Sequence, residues 1–308
     1  MHFGVVLPQF GKFASRDSLT RVAQAAEDQG WDSVWFADHV IIPTPYTARF
    51  SETFYELFVT MGFIAAVTSR VRIGTSIVIL PYRHPLMTAK QVATLDQLSE
   101  GRVILGVAFG WMKEEYDVLG IPFEKRGRRS DECLAAMKEC WLSDSPHFEG
   151  EFYRFSEIAF SPKPIQKPHP PIWIGGNDRR TLRRVVEFGD AWHPIAGPRI
   201  VMNEETLRSR IAELRHLAEE NGRKPDEIIL SFHAPLAFEG DPGALRENLT
   251  FIASPDEILR RLELCRELGF THFVLNCFYG MPEKIGLAAA DHILRTMERF
   301  SNEVRPRL

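Results

Sequence analysis

The stretches "VRIGTSIVIL" (71–80), "HPLMTAKQVATLDQLSEG" (84–101) and "RVILGVAFG" (102–110) decide the fold. The outer two are short apolar runs of strand length, and the middle one has helical spacing with a glycine stop. The pattern repeats in both directions. Upstream, "HFGVVLP" precedes "SLTRVAQAAEDQG", and "SVWFA" precedes "FYELFVTMGFIAAVTS". Downstream, "RVILGVAFG" leads to "MKEEYDVLG" and then "RRSDECLAAMKECWLS". "PIWIGG" leads to "RRTLRRVVEFG", "DAWHPIAG" to "NEETLRSRIAELRHLAEENG", "IILSFHAPLAF" to "PDEILRRLELCRELGFT", and "HFVLNCF" to "PEKIGLAAADHILRTMERF".

Strands apolar on both faces, alternating with helices, imply a parallel sheet covered on both sides. Eight such units close most economically into an α/β fold of the (β/α)8 TIM-barrel type, expected as a single domain over residues 1–308. An open doubly wound sheet is the alternative, but "LPQFGKF" after the first strand carries no GxGxxG. Residues 145–171 break the pattern. Pro162, Pro164, Pro168, Pro170 and Pro171 exclude a helix there, and "FEGEFYRF" predicts a small hairpin. A proline-rich hairpin insertion between strands four and five is therefore expected.

The 308 residues are 44% apolar and 25% charged, as in an ordinary globular protein. A net charge of −4 provides no basic field, so nucleic acid is not expected as a partner. No apolar stretch approaches the roughly 20 residues of a membrane helix. "MHFGVVLPQFGKF" already reads as structure rather than as a leader. Cys133, Cys140, Cys265 and Cys277 form no CxxC pair, which argues against a disulfide framework or zinc site. These features lead to the expectation of a cytoplasmic protein with a small-molecule substrate and no metal.

In a barrel of this kind, chemistry belongs at the carboxyl ends of the strands. Strand two, in "DSVWFADHV" (32–40), ends on Asp38 and His39. A buried carboxylate there needs a donor partner or water, and an imidazole suits proton transfer. The pair either pins the following loop or carries chemistry. Other strand ends are also out of character for core: Gln9, Thr75 and Ser76, Gly110 and Trp111, and Gly175–Gly176–Asn177. His193, His233 and Asn276 lie on strands six to eight. Two glycines before a helix leave main-chain N–H groups open to an anion, with Arg179, Arg180 and Thr181 one turn on. A tight turn is the other reading of that segment.

Taken together, "HPLMTAKQVATLDQLSEGRVILGVAFGW", "GRRSDECLAAMKECW", "PIQKPHPPIWIGG" and "RRVVEFGDAWHP", with "GVVLPQFG" and "SVWFADHV", resemble the bacterial luciferase-like flavin and deazaflavin oxidoreductases. The likeness runs over about residues 1–200. It implies a flavin-like ring in the barrel mouth, either coenzyme F420 or FMN, with the probable F420-dependent subgroup most similar. It places Asp38 beside the cofactor and His39 as a proton donor or acceptor. It implies a non-proline cis bond at Ser76–Ile77 behind the ring, and cofactor contacts at Gly110. The cofactor phosphate falls on Gly175, Gly176 and Asn177. Sugar-phosphate-oxidising relatives carry an acidic residue where this chain has Trp111, which points to a more apolar substrate. Phe36, Trp111, Trp173 and Trp192 are candidates for its pocket. The expected activity is deazaflavin-dependent hydride transfer, with Asp38 orienting His39 or touching the ring; the alternative is an FMN-dependent monooxygenase using reduced flavin and oxygen. A flavin-binding barrel without turnover is a third reading. The apolar second helix admits a homodimer.

Overall fold

The computed structural model describes residues 1–197, 200–278 and 289–308, with the side chains of Arg49 and Ala289 excepted. Eight parallel strands close on themselves: β1 (His2–Val6), β2 (Ser33–Phe36), β3 (Arg72–Thr75), β4 (Val103–Ala108), β5 (Ile172–Gly175), β6 (Ala191–His193), β7 (Ile229–Ala237) and β8 (Phe270–Asn276). Each pairs with the next. The circle closes where Val5 of β1 lies opposite Leu275 of β8. The fold is a (β/α)8 barrel.

The helices that cover it are α1 (Arg16–Asp28), α2 (Leu57–Val67), α3 (Pro85–Leu98), α4 (Arg126–Leu142), α5 (Arg179–Phe188), α6 (Glu204–Glu220), α7 (Pro255–Glu267) and α8 (Ala289–Arg299). Their starts follow capping chemistry. Ser15, Asp178, Asn203 and Ser254 each accept a main-chain N–H three residues on, and Pro85 and Pro255 open α3 and α7. The stretch read as helix from Pro282 falls partly on residues 279–288, outside the described residues. Among the described residues no helix is long and apolar enough to cross a membrane.

After β4 comes a six-residue helix, Lys113–Val118, and then α4. Between α4 and β5, Phe148–Glu149 pairs antiparallel with Arg154–Phe155. The extended run that follows is tied to the barrel helices by polar contacts. Gln166 donates to the buried Asp96 carboxylate through its backbone N (3.0 Å) and its amide (2.7 Å). Lys163 Nζ donates to the Cys140 carbonyl at 2.7 Å.

Trp35 plugs the barrel interior. Its side chain is 1% exposed, packs on Trp173 at 4.9 Å and stacks on His193 at 5.5 Å. Its Nε1–H donates to Ser33 Oγ at 2.8 Å. Glycines on both neighbouring strands make the room: a Cβ on Gly4 would lie 2.2 Å from Trp35 Nε1, and one on Gly74 would lie 2.5 Å from the indole carbons. A Cβ on Gly106 would sit 1.9 Å from the Thr75 carbonyl oxygen, so β4 must be bare where the end of β3 crowds it. Gly74→Ala is expected to lower stability by about 1–3 kcal/mol, the usual cost of overpacking, as read from the urea midpoint at unchanged m-value. A midpoint equal to wild type would mean that Trp35 is not held where it is described.

Candidate active site at the barrel mouth

Asp38 and His39 follow β2 at the carboxyl end of the barrel, and each has its own partner. Asp38, 4% exposed, is clamped by Arg83: Nη1 donates to Oδ2 at 2.6 Å and Nη2 to Oδ1 at 2.8 Å. The Ile79 N–H adds a third bond to Oδ2 at 2.9 Å. Arg83 also reaches Glu56 at 3.3 Å, at the cap of α2. The carboxylate that touches the imidazole is Glu115, not Asp38. His39 Nδ1 lies 2.7 Å from Glu115 Oε2, with side-chain exposures of 9% and 0%.

Glu115 comes from the short helix after β4, whose sequence "MKEEY" reads only as a helix in isolation. Its Oε1 accepts from the N–H of Val40 at 2.8 Å and of Ile41 at 3.3 Å, and its Oε2 accepts from Tyr82 Oη at 2.8 Å. Burial pushes its carboxyl up, but the hydrogen bond from His39, the charge that ring carries when protonated, Tyr82 and the Val40 N–H outweigh that and hold it below the ordinary range. Burial and then the Glu115 charge push the Tyr82 phenol up, so it stays a donor. Arg83, Tyr82 and Glu115 escape a strand-by-strand reading. The available signal was Asp38 itself, a carboxylate at a core strand tip that needed a cation. Arg83 is the one just past the β3 run.

Aromatic rings wall the imidazole. Phe50 and Phe54 each lie 5.3 Å from His39, centroid to centroid. Phe10 stacks on Phe54 at 5.0 Å and meets Phe278 edge-on at 5.4 Å, while Trp111 joins Phe50 at 6.1 Å and Tyr46 at 5.5 Å. Of the four aromatics expected to form the pocket, only Trp111 is at the mouth. Phe36, Trp173 and Trp192 are barrel core, each at most 1% exposed. The wall comes instead from loops after β1, β2, β4 and β8.

The bond Ser76–Ile77 is cis, the geometry the resemblance implies there. Beyond it the chain resumes pairing, with Val78 and Ile79 beside Val107 and Ala108. The Ser76 N–H donates to the Phe36 carbonyl at 2.6 Å, and a Cβ on Gly175 would meet the Ile77 side chain at 3.3 Å. The ends of β2, β3 and β5 are thus contiguous. Ser76 Oγ sits between two imidazoles, 2.9 Å from His193 Nε2 and 2.7 Å from His233 Nδ1. His193 Nδ1 in turn lies 2.9 Å from Ser231 Oγ. Gln9 is structural: fully buried, it exchanges hydrogen bonds with Ala37 at 2.7 and 2.9 Å. Asn276 accepts from the Phe278 N–H at 3.0 Å and shapes the turn after β8.

Gly110 has φ +66° and no room for a Cβ, which would lie 2.8 Å from the Tyr116 ring. Gly176 has φ +120°, and its carbonyl accepts from Trp192 Nε1 at 2.7 Å. Asn177 is half-exposed beside it. Asp178 Oδ1 already accepts the Thr181 N–H at 2.6 Å, and Arg179 reaches Glu213 at 3.6 Å. Any anion therefore meets the amides ahead of α5 rather than that N–H. Among the described residues no three His, Cys, Asp or Glu side chains converge as metal ligands. A surface cleft of about 240 Å³ opens at the opposite end of the barrel, between α6 and the starts of β7 and β8. Its lining holds no histidine or cysteine.

Residues 1–280 match the sequence profile of luciferase-like monooxygenases. The chain belongs to that family. An uncharacterized protein of Mycobacterium tuberculosis is 34% identical over 98% of this chain and 99% of its own. The oxygenase component of the flavin-dependent trigonelline monooxygenase of Acinetobacter baylyi is 31% identical over 94% of this chain and 89% of its own. The coenzyme F420-dependent tetrahydromethanopterin reductase of Methanopyrus kandleri superposes with a TM-score of 0.76 at 19% identity, covering 99% of both chains, and shares the fold. As members of this family are oxidoreductases or monooxygenases, the chain is an oxidoreductase of the luciferase-like type.

The buried imidazoles make stability pH-dependent. Burial holds His233 down to about 4 and His193 well below its ordinary value. A histidine held low in the fold stabilises it above the unfolded value of about 6.5 and loses that contribution as pH falls towards the folded value. Lowering pH from 6.5 to 4 should therefore cost on the order of 3 kcal/mol through His233 alone. The urea midpoint measured at each pH, in wild type and His233→Asn, checks this. Parallel pH dependence in both proteins would show that His233 takes no part.

Proposed function

We propose that this chain is a deazaflavin-dependent oxidoreductase that passes a hydride to or from a small, apolar organic substrate, with coenzyme F420 as the cofactor. The observation that carries the reading is one imidazole, His39, backed by a buried carboxylate and walled by aromatic rings at the mouth of the barrel. The mouth suits a flat ring with a phosphate tail. Gly175 lets Ile77 lie close against the end of β5, and Gly176 and Asn177 put main-chain amides ahead of α5. The ring would rest on Ser76, Ile77 and Gly110, with Asp38 behind it.

Once bound, such a cofactor supplies two-electron hydride chemistry, and the protein supplies position and electrostatics. The roles left to this chain follow from its contacts. His39 takes a proton from a substrate hydroxyl as the adjacent C–H bond gives up its hydride, or returns it in the reverse direction. Phe10, Phe50, Phe54 and Trp111 exclude water and favour an apolar substrate body. Arg83 fixes Asp38 and with it the strand tip that carries His39.

A second reading is FMN-dependent oxygenation. It is favoured by two relatives at 31% identity, the FMNH2-dependent dimethylsulfone monooxygenase of Pseudomonas putida and the oxygenase component of the flavin-dependent trigonelline monooxygenase. Calorimetric titration of the protein with coenzyme F420 and with FMN under identical conditions separates the two. Binding of F420 alone supports hydride transfer, preference for FMN moves the reading to a monooxygenase, and binding of neither overturns both. His39→Ala should leave cofactor affinity intact and lower turnover about 10²–10⁴-fold, the range of general acid–base catalysis. Turnover equal to wild type would remove His39 from the mechanism.

A further inference from the structure

We infer that Glu115, supported by Tyr82, is a positioning residue that fixes the proton of neutral His39 on Nδ1 and leaves Nε2 as the atom that exchanges a proton with the substrate. The inference deepens the proposed function and rests on its use of His39; the assignment of the tautomer stands on geometry alone.

The argument is a donor count. Glu115 is fully buried, and its partners other than His39 are all donors: the Val40 and Ile41 N–H groups on Oε1, and the Tyr82 hydroxyl on Oε2. A carboxylate so surrounded is an acceptor at both oxygens. The 2.7 Å contact with His39 Nδ1 is a hydrogen bond only if Nδ1 carries the hydrogen. In the neutral imidazole the lone pair then lies on Nε2. His193 and His233 differ, because their partners Ser76 and Ser231 are hydroxyls that can donate or accept, which leaves their tautomers open. His2 with Asp32 and His216 with Glu220 also meet carboxylates, but with 56% and 65% of the imidazole exposed. His39 is thus buried against a carboxylate, with Phe50 and Phe54 flanking its ring. When Nε2 takes a proton, the imidazolium forms against a carboxylate already in place, at no cost in reorganisation.

The same count predicts the effect of Glu115→Gln. The two main-chain N–H groups cannot stop donating, so the amide oxygen must face Val40 and Ile41. Its NH₂ then faces His39, where Nδ1 has to become an acceptor, and the proton moves to Nε2. The Tyr82 hydroxyl can turn away from the NH₂.

The test is long-range ¹H–¹⁵N correlation on histidine-labelled protein without cofactor, in alkaline buffer, with His39 assigned by His39→Asn. Wild type should show the Nδ1–H tautomer, Glu115→Gln the Nε2–H tautomer, and Tyr82→Phe the wild-type pattern. An Nε2–H tautomer in wild type overturns the inference, as does an unchanged tautomer in Glu115→Gln. Wild type and Tyr82→Phe decide the matter if Glu115→Gln does not fold. Turnover provides the separate check on function. Glu115→Gln should lower it about 10²–10⁴-fold. A switched tautomer with undiminished turnover would overturn the assignment of Nε2 to proton exchange in turnover, and with it the reading of His39 as proton carrier, and leave only the tautomer standing.

Discussion

Two carboxylates out of water, Asp38 and Glu115, organise the mouth of this barrel. An ionised carboxylate in a protein interior is costly unless it is paired and hydrogen-bonded, and removing one partner of such a pair costs about 3–5 kcal/mol. Each of the two recruits donors from elements far apart in sequence. Asp38 draws Arg83 and the Ile79 N–H, from beyond the cis bond that follows β3, onto the tip of β2. Glu115 draws His39, Val40 and Ile41 from the segment after β2 and Tyr82 from beyond β3 onto the helix after β4. Three strand ends are held together by acceptors that must be satisfied. The loops that carry Phe50, Phe54 and Trp111 are built on that frame.

The barrel was legible because its signal is repetitive. Each strand–helix unit states the same alternation, and an error in one unit does not disturb the count. Local chemistry marked most boundaries too: the caps Ser15, Asp178 and Ser254 and the prolines opening α3 and α7 sit where helices begin. The site was legible in part. Asp38 and His39 stand out because a charged pair contradicts its surroundings at the end of an apolar strand. The pair reads as an aspartate that orients the histidine or touches the cofactor ring, and in the structure the carboxylate bonded to the imidazole is Glu115. Both residues lie past the end of β2, and each side chain finds its partner on a different element, Arg83 beyond β3 for Asp38 and Glu115 after β4 for His39.

The aromatic residues show the opposite limit. Phe36, Trp173 and Trp192 were as plausible for a pocket as Trp111, since an aromatic ring serves a core and a binding wall equally well. Burial alone separates them, and burial of a strand residue depends on which face meets the interior. Phe10, Phe50, Phe54 and Phe278 lie in connecting segments without periodicity, so no pattern in the chain announces that Phe50 and Phe54 flank one imidazole and that Phe10 and Phe278 pack on behind Phe54.

The histidines complete the contrast. Three imidazoles, those of His39, His193 and His233, lie in or below the mouth, and the partner decides what each can do. Between hydroxyls and the Trp35 and Trp173 rings, His193 gains nothing from becoming charged, and burial drives it neutral. His233 shares that fate beside Ser76. These two shape the floor as polar but uncharged groups. His39, against Glu115, is the one of the three for which a positive charge is met by an opposite charge already in position. Among these three imidazoles a charge is thus met at one ring, and that ring is the one Phe50 and Phe54 flank. Local rules of burial are broken there in a consistent direction, and that break is what supports the proposed role of His39.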